Sequence, residues 1–516
     1  MVSNSTVQRF SACLAGLVLL AFAQPAHATW YRAETERFIV YGEGREAQVR
    51  EYAVKLTTFD KVLRFYHPAT ANRPVGQKVE IFLVEGPSDL RRIRPGLPNG
   101  IRGFYVGNNE AVFAAADVSS GAIEAEQVLF HEYAHHFMLE NFPSAYPAWF
   151  VEGWAEYFMT ARITPEKITI GEYNDNRVAW LFGAEWVPLR ELLTKRPGEL
   201  RRDGQALFYS EAWLLMHYMR SDAERAAQLN AATLAISKGE EPVAAFIAAT
   251  GMQPEALQKK LRKYVKLPIV RMDNAGRAPE VKVTALPASA DMFLLENVRL
   301  MISSPEPVDE KFLRDVRAKA AKFPGDRLAE MTLARTEFTY GDVAAGEAIM
   351  QRLIAANPTD VDVLVLAGVG QFLGGVRKEE EQTARFRAAR RHFAKAYELD
   401  KHDFRSLYHY ARSRSVEPAY PNDNDIAALM EARALAPSVE EISLHAGAAL
   451  MQRGRKDEAA KMLARLMNSP HGGPEAAMAK AVLEGRTLED AEKALTEATS
   501  GAEGPSQAQP TAPKAK

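Results

Sequence analysis

"FHEYAHHFMLENFPSAYPAWFVEGWAEYF", residues 130–158, sets three histidines and four glutamates in a dense apolar background. The first half reads as a helix from about Ile123 to Glu140 and the second as a helix starting near Ala148, with "NFPSAYP" breaking the two. On the first helix His131 and His135 stand one turn apart and share a face. Two imidazoles so placed can hold one Zn²⁺ at about 2.0–2.1 Å each. Glu132 lies beside them, in reach of a water rather than of the metal. His136 points about 100° away from that pair, toward a supporting or exposed position. On the second helix Glu152 and Glu156 are again one turn apart, among Trp149, Phe150, Val151, Trp154, Tyr157 and Phe158. Carboxylates in such surroundings need a partner, and a metal is the best one. One of the two can ligate while the other accepts a hydrogen bond from a liganding imidazole. The spacing leaves open which does which.

Upstream, "ETERFIVYGEG" (34–44) reads as a strand. A helix comes next, with Val49, Tyr52, Leu56, Phe59 and Leu63 on one face. "KVEIFLVEG" (78–86) is a second strand, and "GFYVGNNEAVFAAAD" (103–117) a hairpin turning at Gly107, Asn108 and Asn109. A small sheet succeeded by helices is an α+β arrangement. From Thr164 to Lys266 the pattern is mainly helical, and residues 268–289 lose the periodicity. We read that stretch as a linker with at most one short strand, so residues 29–267 are expected to fold independently of the rest of the chain.

The last third repeats. "MQRLIAANP" ends at Pro358, "AKAYELDK" at Lys401, "MEARALAP" at Pro437 and "LARLMNSP" at Pro470, spacings of 43, 36 and 33 residues. This resembles the tetratricopeptide repeat, whose period is about 34 residues. The resemblance implies an all-α domain over 290–490 that presents a surface to a protein partner. Residues 491–516 are expected to be a disordered tail.

At the N-terminus, "ACLAGLVLLAFA" (12–23) is too short to span a bilayer, and "AHA" (26–28) is a cleavage site. Residues 1–28 therefore read as a signal peptide cut after Ala28, giving a periplasmic or secreted protein with no stable membrane insertion. The single cysteine, Cys13, leaves with it, so the mature chain has no disulfide. A net charge of −2 gives no global field for nucleic acid or an anionic membrane.

"HEYAH" followed by "PAWFVEGWAEYF" resembles the gluzincin branch of zinc metallopeptidases, and most of all the peptidase MA-like domains of bacterial secreted proteins. The resemblance covers roughly residues 30–265, and it implies a zincin-like fold, one zinc per chain and hydrolysis of peptide bonds. By position it makes His131, His135 and Glu152 the ligands, Glu132 the general base and Glu156 the partner behind a ligand. Sixteen residues separate His135 from Glu152, fewer than in the zinc aminopeptidases. Tyr209 in "FYSEAWLLMHYM" matches the tyrosine that opens an apolar helix in those enzymes, implying a donor to the developing oxyanion. A core tyrosine is the competing reading, and His217 on that helix reads as a core or surface histidine. "EAVFAAAD" (110–117), just before the zinc helix, is the expected sheet edge for an extended substrate. A different class of function also fits: an inactive zinc domain on a repeat-based binding or assembly factor of the cell envelope.

Overall fold

The computed structural model describes residues 30–500, apart from 74, 120, 143, 184, 275, 277, 303–307, 470 and 471. The expected signal peptide lies outside the described residues, as does 501–516. Among the described residues no helix is long and apolar enough to cross a membrane.

Six strands form one mixed sheet: β1 (Trp30–Glu34), β2 (Phe38–Glu43), β3 (Val79–Val84), β4 (Gly103–Gly107), β5 (Val112–Asp117) and, far along the chain, Lys282–Ala285. Two short strands, β6 (Arg162–Ile163) and β7 (Lys167–Ile170), pair with β8 (Val270–Asp273) in a second sheet, which makes Lys282–Ala285 β9. The order of the large sheet is β4-β5-β3-β2-β1-β9, with β2, β3 and β5 parallel and both edges antiparallel. Residues 268–289, expected as a linker, therefore complete both sheets.

The long helix α1 (Glu46–Tyr66) makes the crossover between parallel β2 and β3. The short helix α2 (Pro87–Ile93) succeeds β3. The central strands are apolar on both faces because each face meets its own core. Ile81, Leu83, Ala114 and Ala116 join α1 in one cluster, while Phe82, Val84, Phe113 and Ala115 join Leu90 and Ile93 of α2 in another. The motif-bearing helices are α3 (Ala122–Asn141) and α4 (Ala148–Phe158). Six more come after them: α5 (Asp175–Gly183), α6 (Leu189–Thr194), α7 (Arg202–Arg220), α8 (Ala223–Ser237), α9 (Pro242–Thr250) and α10 (Pro254–Leu261).

From Ala290 the described chain is helical: α11 (Ala290–Ile302), α12 (Glu310–Ala320), α13 (Arg327–Tyr340), α14 (Val343–Ala356), α15 (Val361–Arg377), α16 (Gln382–Leu399), α17 (Phe404–Arg412), α18 (Asp423–Leu435), α19 (Glu440–Gln452), α20 (Lys456–Met467), α21 (Pro474–Leu483) and α22 (Leu488–Ser500). They pack in consecutive pairs, and first helices of neighbouring pairs lie side by side: α11 on α13, α13 on α15, α15 on α17 and α19 on α21. Asp309, Asp326, Asp342, Asp360, Asp403 and Asn422 each cap the helix they precede through a side-chain oxygen. The last helix reaches Ser500, so 491–500, expected as disordered tail, is helical.

The helical third does not stand apart. Leu294, Leu295 and Val298 of α11 pack on the α2 side of the sheet, beside Phe82 and Phe113. Phe404, Tyr408, Ile426, Leu429 and Ile442 belong to the same apolar cluster as α1, α3 and α4. Helices of the repeats thus contribute to the cores on both faces of the sheet, beyond the bounds 29–267 expected for the first domain. Helices of a repeat array ordinarily contact mainly each other, and sequence periodicity carries no sign of a face turned toward another domain.

Candidate metal centre and its cleft

Helices α3 and α4 pack against each other, and α4 packs on α7. The second approach depends on Gly153, where a β-carbon would stand 2.5 Å from the carbonyl oxygen of Ala212. No other residue admits that closeness, so Gly153 seats α4 and its two glutamates between α3 and α7.

Three donor atoms converge there. His135 Nε2 is 3.0 Å from His131 Nε2, and Glu152 Oε2 lies 3.7 Å from the His131 nitrogen and 3.4 Å from that of His135. Ligand atoms at about 2.0–2.1 Å in a tetrahedron are separated by roughly 3.3 Å. The observed edges bracket that figure, so the donor set fits a zinc-sized ion. Its chemistry, two imidazoles and one carboxylate, is also that of an open catalytic site.

Glu156 takes a different place. Both its oxygens accept from Arg177, at 2.7 Å from Nε and 2.6 Å from Nη2. Its Oε1 is 3.5 Å from His131 Nδ1. A proton on that Nδ1 leaves the Nε2 lone pair free to ligate. Arg177 remains protonated despite its burial, because Glu156 and then Tyr209 and Glu152 favour its charge. Glu152 and Glu156 are both fully buried, and the guanidinium of Arg177 lies against Glu156.

Sequence reasoning misses Arg177. It sits on α5, whose first turn is capped by Asn174, and Asn174 in turn donates to Gln127 of α3. The sequence signal for it is indirect: two carboxylates one turn apart in an apolar helix require more positive charge than one ion supplies to both.

Tyr209, on α7, is 7% exposed, and its ring lies 5.4 Å from the Arg177 guanidinium. Burial, and then the charge of Glu152, push its pKa well up, so the phenol keeps its proton. His136 is buried, with Nδ1 2.9 Å from the Tyr105 hydroxyl, and burial depresses its pKa. His217 is a core histidine, held by Gly171 O at 2.9 Å and the Tyr264 hydroxyl at 3.0 Å.

Two cavities adjoin the centre. The larger, about 820 Å³, is lined by His135 and Glu132, and the smaller, about 320 Å³, by His131, Glu132 and Arg177. Gly103 and Glu132 line both, so the two cavities meet beside His131 and His135. Strand β4 forms one side. Arg102 and Asn108, flanking it, bond to Asp117 and Ala111, which turns the main-chain groups of Gly103, Tyr105 and Gly107 away from β5. The sheet edge facing the cleft is therefore β4. The stretch "EAVFAAAD", expected to be that edge, forms β5 and is paired on both sides. The absence of a side chain at Gly103 lets β4 lie against Val128 of α3.

The opposite wall comes from the helical third. Ser438, Glu440, Arg465 and residues 468–469 and 472–474 line the larger cavity. Arg465 is fixed by Leu139 O at 2.9 Å and Pro437 O at 2.5 Å, tying α20 to the end of α3.

No protein-family model matches this chain, and no curated protein does. Among solved structures, it is similar to the crystal structure of a thermophilic TPR protein of Thermus thermophilus. The likeness has 19% identity and a TM-score of 0.30, over 34% of this chain and 90% of that one. A likeness of that size defines neither activity nor partner.

Proposed function

We propose that the protein is a zinc-dependent peptidase of the secreted or periplasmic space, acting on extended polypeptide. The observation that carries this reading is the convergence of His131, His135 and Glu152 at tetrahedral-edge distances beside a walled cleft. Zinc, when bound, supplies a Lewis acid that acidifies water and polarises a carbonyl.

The chain's own residues do the rest. Glu132, at the junction of the two cavities, accepts the proton of the attacking water and returns it to the leaving amine nitrogen. Tyr209, kept protonated, donates a hydrogen bond to the oxyanion. Arg177 holds Glu156, and Glu156 orients His131. The outward N–H and C=O groups of Gly103, Tyr105 and Gly107 pair with the backbone of an extended substrate. The apolar run at 12–23 with its cleavage site supports export.

The test joins metal analysis to turnover. The purified protein should carry about one zinc per chain, removal of the zinc by a chelator should abolish cleavage of a broad peptide library, and zinc should restore it. A protein that binds no zinc, or that cleaves the library equally well without it, would sink the proposal. The paired helices of the last third support a protein-binding role as well.

A further inference from the structure

The turn joining β4 to β5 does not end in solvent. Asn108 shapes it, with its side-chain oxygen accepting from the amides of Glu110 and Ala111. The tip then meets first helices of three of the pairs, α11, α13 and α19. Asn108 donates to Met301 O of α11 at 2.9 Å, and Glu110 Oε2 accepts from Arg335 of α13 at 2.7 Å. Asn109 donates to Glu441 Oε2 of α19 at 2.6 Å, and Tyr408 of α17 holds the other oxygen of Glu441 at 2.6 Å. The Glu110–Arg335 pair is 12% and 9% exposed, so it is screened little by solvent. All these helices are the inner ones, whose faces in a repeat array form the concave ligand-binding surface.

We infer that the hairpin tip, Asn108 to Glu110, is the resident ligand of that inner face, and that Glu110 and Arg335 are positioning residues for the cleft. The reading rests on the peptidase proposal for its consequence and on geometry alone for the clamp. β4 is an edge strand with one paired neighbour, and an edge strand held on one side frays readily. Gripping its far end fixes the outward backbone groups that a substrate strand must meet. Tyr105 extends the link: its hydroxyl lies 2.9 Å from Nδ1 of His136, next to His135, and it shares the lining of the larger cavity with Ser438 of the helical third. The helices thus act in cis, by setting the register of the substrate track rather than by recruiting a second protein.

The experiment uses the full-length protein with Glu110→Gln, and with Glu110→Gln and Arg335→Met together so that no charge is left buried without its partner. Amide hydrogen exchange over residues 103–111 should quicken in both, with β2 unchanged and zinc content at the wild-type level. Peptide hydrolysis should show KM raised about tenfold or more with kcat nearly constant, the sign of lost uniform binding. Wild-type exchange at 103–111 together with wild-type KM in both variants overturns the inference. Should the wild type cleave no peptide, faster exchange at 103–111 still supports the clamp, and the failure then falls on the peptidase reading alone.

Discussion

Arg177 grips Glu156 by two parallel hydrogen bonds of 2.7 and 2.6 Å, and Glu156 stands 3.5 Å behind His131 Nδ1. A guanidinium on a separate helix thus fixes the carboxylate that stands behind the His131 imidazole. Glu156→Gln should weaken zinc binding by about 10–100-fold. Arg177→Met should do the same and also destabilise the fold by about 3–5 kcal/mol, because it strands a buried carboxylate. Glu152→Ala should weaken zinc more than either. Chelator competition checks the order, and a larger loss at Glu156 than at Glu152 would reassign the ligand.

Glu132→Gln keeps size and shape but cannot accept the proton. Zinc content and thermal stability should stay near wild type, while kcat for peptide hydrolysis falls by about 10²–10⁴-fold. Full activity in this variant would rule out the general-base role.

Tyr209→Phe removes one donor and leaves the ring under Arg177. Zinc should be retained, KM should change little and kcat should drop by about 10²–10³-fold. An unchanged kcat would return Tyr209 to the core as a structural residue.

Glu80 on β3 accepts from the Tyr41 hydroxyl at 3.4 Å, and burial and then the charge of Asp362 push its carboxyl up from 4.5 to about 7. The folded value exceeds the unfolded one, so its contribution to stability is full below about pH 4.5 and is lost as pH rises through about 7. Glu80→Gln should therefore be more stable than wild type at pH 8.5, by on the order of 1 kcal/mol, with the gain gone at pH 4.5. Urea midpoints at the two pH values measure this, and equal shifts at both would exclude the titration as the cause.

Residues 29–289 expressed alone should be insoluble or molten. Leu294, Leu295 and Val298 are worth about 1.5–3 kcal/mol each where they cover the sheet, against a net stability of about 5–15 kcal/mol for a typical domain. A monomeric fragment with cooperative unfolding would show that the sheet does not need them.

What the sequence makes legible is local. The helical spacing that joins His131 to His135 and Glu152 to Glu156 is a property of a few turns, as are the apolar face of α1 and the paired helices of the last third. Strands β8 and β9 are illegible because they are short and largely exposed, and they become strands only by pairing with β7 and β1. The sheet edge is misplaced by the sequence because β5 is apolar on both faces, so its pattern does not tell which side lacks a neighbour. Arg177 lies 21 residues from Glu156, on a helix of its own. Its role, and the docking of the helices on the sheet, exist only in long-range packing.

If the cleft beside β4 receives a substrate strand as proposed, its walls would also sort candidate substrates by their state of folding. A backbone can reach the outward groups of Gly103, Tyr105 and Gly107 only by sliding between α3 on one flank and the Ser438–Arg465 wall on the other. On the peptidase proposal, a strand already hydrogen-bonded in a native sheet would bring its neighbours with it, whereas a single unpaired segment would have only its own backbone to seat against β4. Discrimination between damaged and intact proteins would then need no recognition sequence, only the width of the slot.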